Sequence, residues 1–127
     1  MTSHHSIFIH PGLPEETLTA DVAAASGARL RRVAHGPVDY GADLGDTALE
    51  IELSHDYDED MGIPFDRYQV VVTVRDFEGD RDREQARAEH VFNRLADLRR
   101  YWLVLVFDLQ TVIATAAPPK QEVFPHR

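Results

Sequence analysis

One stretch, Asp80 to Ala116, constrains the fold more than any other. A charged-to-apolar helix there delivers the chain into its most hydrophobic run, Tyr101-Trp102-Leu103-Val104-Leu105-Val106-Phe107. Ala88, Val91, Phe92, Leu95 and Leu98 recur at the i, i+3, i+4, i+7 spacing that makes one apolar stripe. Asp80 suits the N-cap, Asp82 and Glu84 suit the first turn, and Arg99 and Arg100 suit the last, so charge order and helix dipole agree. Arg83, Arg87, Arg94 and Asp97 fall on the opposite, solvent-suited face. Trp102 to Phe107 and Thr111 to Ala116 then read as two strands joined by a tight turn at Asp108-Leu109-Gln110. Such an apolar run beside an amphipathic helix is the pattern of a strand buried on both faces.

The rest of the chain supplies partners for this unit. Ser6-Ile7-Phe8-Ile9-His10 reads as a first strand, stopped by Pro11-Gly12, with His4 and His5 in a frayed end. Pro14, Glu15 and Glu16 open a helix that runs to about Ser26, with Leu18, Val22 and Ala25 on one face and Gly27 as its left-handed stop. Arg29 to Ala34 reads as a second strand, and Val38 to Asp46 as a loop. Leu49, Ile51 and Leu53 alternate with Glu50 and Glu52 in a half-wet strand. The valines of Tyr68 to Arg75 mark a central strand that pairs with it as an antiparallel hairpin across a long connection. The expected order is β-α-β-β-β-α-β-β. That makes an α+β two-layer sandwich, two helices on one mixed or mostly antiparallel sheet of five to six strands. Residues 1–117 form the single domain, and Pro118-Pro119 opens a C-terminal tail over 118–127.

Charge narrows the function classes. Twenty-two acidic residues against thirteen basic give a formal charge of −9. This opposes binding to nucleic acid and to anionic membranes, and makes a basic protein the natural partner. The absence of cysteine excludes disulfides, thiolate metal sites and a Cys nucleophile, and fits a reducing cytoplasm. No leader-like or membrane-spanning apolar run stands out, so a soluble, cytoplasmic protein is expected, alone or as a homodimer.

No motif carries catalysis. Asp56-Tyr57-Asp58-Glu59-Asp60-Met61-Gly62 begins like an EF-hand calcium loop, but Met61 stands where glycine is required and Arg67 at the bidentate glutamate position. A solvated acidic loop, or a contact patch for a basic partner, is the better reading. Seven histidines show no metal-ligand spacing on a common face. His55 beside Asp56 has the composition of an oriented base, although strand neighbours point to opposite faces. Neither a nucleophile elbow nor a glycine-rich phosphate loop is present. No catalytic residue, metal site or cofactor is assigned.

Two functions remain from different classes. The first is a non-catalytic acidic protein-binding module, possible as an immunity-type protein that neutralises a basic partner, using Asp56, Asp58, Glu59, Asp60 and Trp102. Arg29, Arg31 and Arg32, joined by Arg99 and Arg100 if the strand lies near that helix end, form a candidate anion-binding island. The second is a small enzyme or ligand-binding domain with a helix–sheet pocket using His55, Asp56 or Asp108. A structural assembly role is a third.

Overall fold

The computed structural model describes residues 4–60 and 62–119. The expected tail therefore lies outside the described residues except for Pro118 and Pro119.

Strand β1 (His5–His10) leads through Pro11 to Pro14 into helix α1 (Glu15–Ser26). Gly27, at φ 70°, closes the helix by returning its N–H to the Ala23 carbonyl, the left-handed stop that only glycine adopts without strain. Strands β2 (Arg31–Arg32), β3 (Tyr40–Asp43), β4 (Thr47–Glu52) and β5 (Val70–Asp76) follow, then helix α2 (Arg81–Asp97) and strands β6 (Trp102–Phe107) and β7 (Thr111–Ala116). All seven strands form one sheet in the order β2-β3-β4-β5-β1-β6-β7, with every neighbouring pair antiparallel. The architecture is the expected α+β sandwich with one strand more than the five to six expected.

The extra strand is β3, inside the segment expected to be a loop. Its two-residue periodicity is hidden by Gly41, and pairing with β4 creates it, Gly41 opposite Glu50 and Ala42 opposite Leu49. Asp43 shapes the turn between them by accepting the Gly45 N–H. The arginine-rich second strand shrinks to two residues. The valine strand β5 does take the central place in the sheet, and it pairs antiparallel with β4 as expected.

Helix α2 also begins where its charges predict, with the Asp80 side chain accepting the Arg83 N–H at 3.0 Å. Ala88, Val91, Phe92 and Leu95 are buried against the sheet, while Leu98 is exposed beyond the helix end. Arg83 and Arg87 do not simply face solvent. Arg83 grips Asp76 through two nitrogens and Arg87 grips Asp46 likewise, clamping the start of α2 to the ends of β4 and β5. The Arg83 guanidinium holds the Asp76 carboxyl well below the usual carboxylate range.

The sheet has a core on each face. Ile7, Ile9, Leu49, Ile51, Val72, Leu103 and Leu105 meet Leu18, Val22, Val91 and Leu95 of the two helices. On the other face a second cluster joins Phe8, Val71, Val104 and Val106 to Ile63, Phe65 and Tyr68. The β4–β5 connection therefore folds back over the sheet as an irregular third layer, with a short 3₁₀ turn at Phe65–Arg67.

The N-terminal histidines are not frayed. His5 shares the alternation of Ile7 and Ile9, which aims its ring at α2, and it is fully buried. Its Nδ1 lies 2.5 Å from Glu84 Oε1 and its Nε2 3.3 Å from Gln85 Oε1. Gln85 donates its amide N–H to Glu89, which turns its oxygen toward the imidazole. Both ring nitrogens thus face acceptors, an arrangement satisfied by the doubly protonated ring. Glu84, itself buried, also accepts the Asp76 backbone N–H at 2.9 Å.

Among the described residues, three that are not glycine have positive φ: Arg99 at 60°, Asp108 at 55° and Leu109 at 59°. Arg99 occupies the left-handed position after α2 where glycine is usual, at a cost of about 1 kcal/mol. Asp108 and Leu109, both at positive φ, turn the chain between β6 and β7, and the Gln110 N–H closes the turn on the Phe107 carbonyl at 3.1 Å.

Removing one member of the buried pair strands the other. Glu84→Ala should cost about 3–5 kcal/mol in urea denaturation, and His5→Leu combined with Glu84→Leu should cost less than either single replacement. A loss below about 1 kcal/mol for Glu84→Ala would refute this account.

Candidate binding surfaces

The acidic segment sits on an aromatic base. Phe8, fully buried in β1, has its ring centroid 4.4 Å from Phe65, 5.2 Å from His55 and 5.8 Å from Tyr57. The tilted Phe65 contact and the edge contacts of His55 and Tyr57 hold the loop by shape as well as by area. His55 adds the polar anchor. Its Nε2 lies 2.5 Å from the Tyr68 carbonyl, which only accepts, so the proton is on Nε2. Its Nδ1 is then free to accept the Tyr57 N–H at 3.1 Å. At the loop's far end Asp60 and Ile63 exchange backbone hydrogen bonds of 3.0 and 2.8 Å.

With its base fixed, the loop turns its charges outward. Asp56, Asp58, Glu59 and Asp60 are all exposed, and among the described residues no ion pair engages any of them. Some acids elsewhere are used internally: Asp21 binds Arg100, Asp46 binds Arg87, Asp76 binds Arg83 and Glu50 binds Arg75. Two open clefts flank the loop. One, of about 440 Å³, is lined by Asp56, Asp58, Asp66, His55 and Tyr68. The other, of about 290 Å³, lies between Asp58 to Asp60, Phe65 and Leu109. Among the described residues no group of three or more His, Cys, Asp or Glu side chains converges to hold a metal ion.

The remaining candidates scatter. Trp102 lies on the same sheet face and packs against the second apolar cluster, but it lines a different cavity, with His10, Arg99 and Arg100. The arginine island does not assemble. Arg29, Arg31 and Arg32 belong to the β2 edge, and β6, which Arg99 and Arg100 precede, stands five strand positions away. Arg32 is drawn into an internal network, donating to Tyr40 Oη at 2.8 Å and lying 3.6 Å from Glu15. The helix–sheet pocket also fails for the residues proposed to line it. His55 and Asp56 are on the face away from the helices, and Asp108 is in the β6–β7 turn, where its N–H donates to the His4 carbonyl. With both nitrogens engaged by the backbone, His55 has no ring atom available as a base.

Sequence reasoning missed the aromatic base under the loop and the second cavity. Parity within β1 is the signal for the first, because Phe8 must point opposite to Ile7 and Ile9. The second cavity joins residues distant in sequence and leaves no linear signature.

No family model, curated protein or solved structure matches this chain. Among the described residues no helix is long and apolar enough to cross a membrane.

Burial holds the His55 pKa below its ordinary 6.5, while the Tyr68 carbonyl, Asp56 and Asp66 pull more weakly the other way. The neutral ring is the one that accepts from Tyr57, so its stabilisation is complete above the unfolded pKa and is lost as pH falls through the folded one. In an NMR titration the His55 ring should show a midpoint below 6.5, and the Tyr57 amide should lose exchange protection over the same interval. A midpoint above 6.5, or a Tyr57 amide indifferent to the transition, would count against this anchor.

Proposed function

We propose that this chain is a non-catalytic acidic protein-binding module that docks a basic surface of a partner through Asp56, Asp58, Glu59 and Asp60, in the manner of an immunity-type protein neutralising a basic target. One observation carries the reading. Asp21, Asp46 and Asp76 are each matched to an arginine of the same fold, whereas these four, gathered within five consecutive residues, all face solvent without an ion pair among the described residues, from a loop seated on buried aromatics.

The physical consequence is an acceptor surface ordered before the partner arrives. Charges held on a rigid base lose little conformational freedom on binding, and clustered like charge steers a basic surface into register. The engagement of both His55 nitrogens supports binding over acid–base chemistry at this place. The two clefts flanking the loop, of about 440 and 290 Å³, are lined in part by these carboxylates.

A lysine- and arginine-rich peptide of about twenty residues is a direct probe, because a multi-site electrostatic contact weakens steeply with salt. The Asn/Gln variant of Asp56, Asp58, Glu59 and Asp60 should bind it about tenfold or more weakly with an unchanged melting temperature. A second variant neutralising Glu16, Glu78, Asp82 and Asp97 removes equal charge elsewhere and should bind nearly as the native chain does. Equal losses in the two variants would mean that net charge alone attracts the peptide, and the loop would have no special role.

A further inference from the structure

The two edges of the sheet are built differently. At one edge β2 is two residues long and both are arginines, with Arg32 held by Tyr40 Oη and close to Glu15. Shortness and charge are the usual means of keeping a sheet edge from pairing with another chain. At the other edge β7 runs for six residues, and from Leu109 to Pro119 the sequence has no Asp, Glu, Lys or Arg. Burial accounts for the absence of charge in β1 and in the middle of β6, but not here, because Thr111, Val112 and Thr115 are exposed. Strands elsewhere with exposed or half-exposed positions do carry charge, Asp43 in β3 and Glu50 and Glu52 in β4. Among the described residues no strand lies beyond β7, and no hydrogen bond outside its ladder with β6 engages Thr111 to Ala116. Ile113, Ala114 and Ala116 pack partly against the helix-side core, so the strand is held extended from within. The register shift opposite Leu105 and Val106 bends it near its middle without adding a charge.

We propose that the outer edge of β7 pairs antiparallel with β7 of a second copy of this chain, joining two seven-stranded sheets across a two-fold axis. Charge selects the occupant. Two chains of charge −9 repel, and they approach at least cost where neither brings a charge to the contact, which β7 and its flanks provide. A basic partner of the kind suited to the acidic loop finds no carboxylate on this strand to meet. A two-fold axis sets the same strand against itself in antiparallel sense, the sense of every other pair in the sheet. The contact also closes. Both β7 edges are consumed, and the outer edges that remain are the short, arginine-bearing β2 strands, so association stops at two copies. The surface is separate from the acidic loop and stands or falls independently of it.

Sedimentation equilibrium of the full chain is the direct test. The mass should rise with concentration toward twice that of one chain and no further. Raising NaCl from about 50 to about 500 mM should tighten the dimer, because screening weakens the repulsion between two acidic chains, whereas capture of a basic peptide by the acidic loop weakens over the same range. Thr115→Lys and Thr115→Glu separate a second copy from any other strand. Across a two-fold axis each copy meets its own charge, so both signs should weaken the dimer about tenfold or more with little change in melting temperature, the side chain being exposed. Asn93→Lys and Asn93→Glu make the same charge changes at an exposed position of α2 and should leave the dimer unchanged. A monomer at every concentration up to about 0.5 mM, a mass that climbs past the dimer, or a dimer weakened by only one sign at Thr115 would each overturn the assignment.

Discussion

The buried contact between His5 and Glu84 is the interaction on which the rest of the structure depends. Strand β1 lies between β5 and β6, so every residue from His5 to Ile9 is covered on both sides of the sheet. A polar residue at its first position must find a partner in the helix layer or leave a charge stranded in a dry core. Glu84 meets it from the first turn of α2 and ties the Asp76 N–H at the end of β5 with its second oxygen. One carboxylate therefore fixes the rotation of α2, the register of β1 and the end of the central strand. Arg83 and Arg87, on the same turn and the next, pin that helix end to Asp76 and Asp46. The apolar stripe alone would let α2 slide along the sheet, since hydrophobic contact has little direction.

The same strand organises the opposite face. Phe8 points away from the helices and gathers His55, Tyr57 and Phe65 over it. A two-layer sandwich normally leaves its second face to water, with polar residues alternating outward. This chain instead places valines there on β5 and β6, and covers them with a segment whose described residues hold one 3₁₀ turn and the Asp60–Ile63 bridge. Irregular backbone over a core needs its own hydrogen-bond partners, which His55 supplies from its side chain. The anchorage of the acidic loop thus has an identifiable origin, a side chain in the middle of the sheet.

Much of the scaffold was legible in the sequence because its signals are local. The start of α2 at Asp80, the stop of α1 at Gly27, the central valine strand and its pairing with β4 each follow from a cap, a glycine or a periodicity within a few residues. What was hidden depends on partners distant along the chain. His5 looked like part of a loose end because nothing near it announces Glu84, seventy-nine residues on. Strand β3 has a glycine where a strand residue is expected, and only β4 beside it makes it extended. The acidic residues of the loop were plain to see, but the Phe8 base was not, since the burial of a loop is decided by the sheet face it happens to cover. The arginines of β2 and those after α2 invited grouping by type, and sheet order separated them.

Left-handed backbone and surface clefts coincide at the two ends of β6. Leu103, Val104, Leu105 and Val106 are buried between β1 and β7 and on both faces, so this strand cannot shift to ease its connections. Arg99, before it, and Asp108 and Leu109, after it, hold left-handed backbone that glycine would occupy at lower cost. Such conformations persist only where surrounding structure over-determines them, and the packing of β6 does that here. Arg99 then lines the cavity beside Trp102, and Leu109 closes one side of the cleft beside the acidic loop. If turn stability alone had set these positions, glycine or asparagine would serve them better. The side chains that stand there instead give each cleft a wall at a fixed place, so a buried strand shapes the surface through its two left-handed exits.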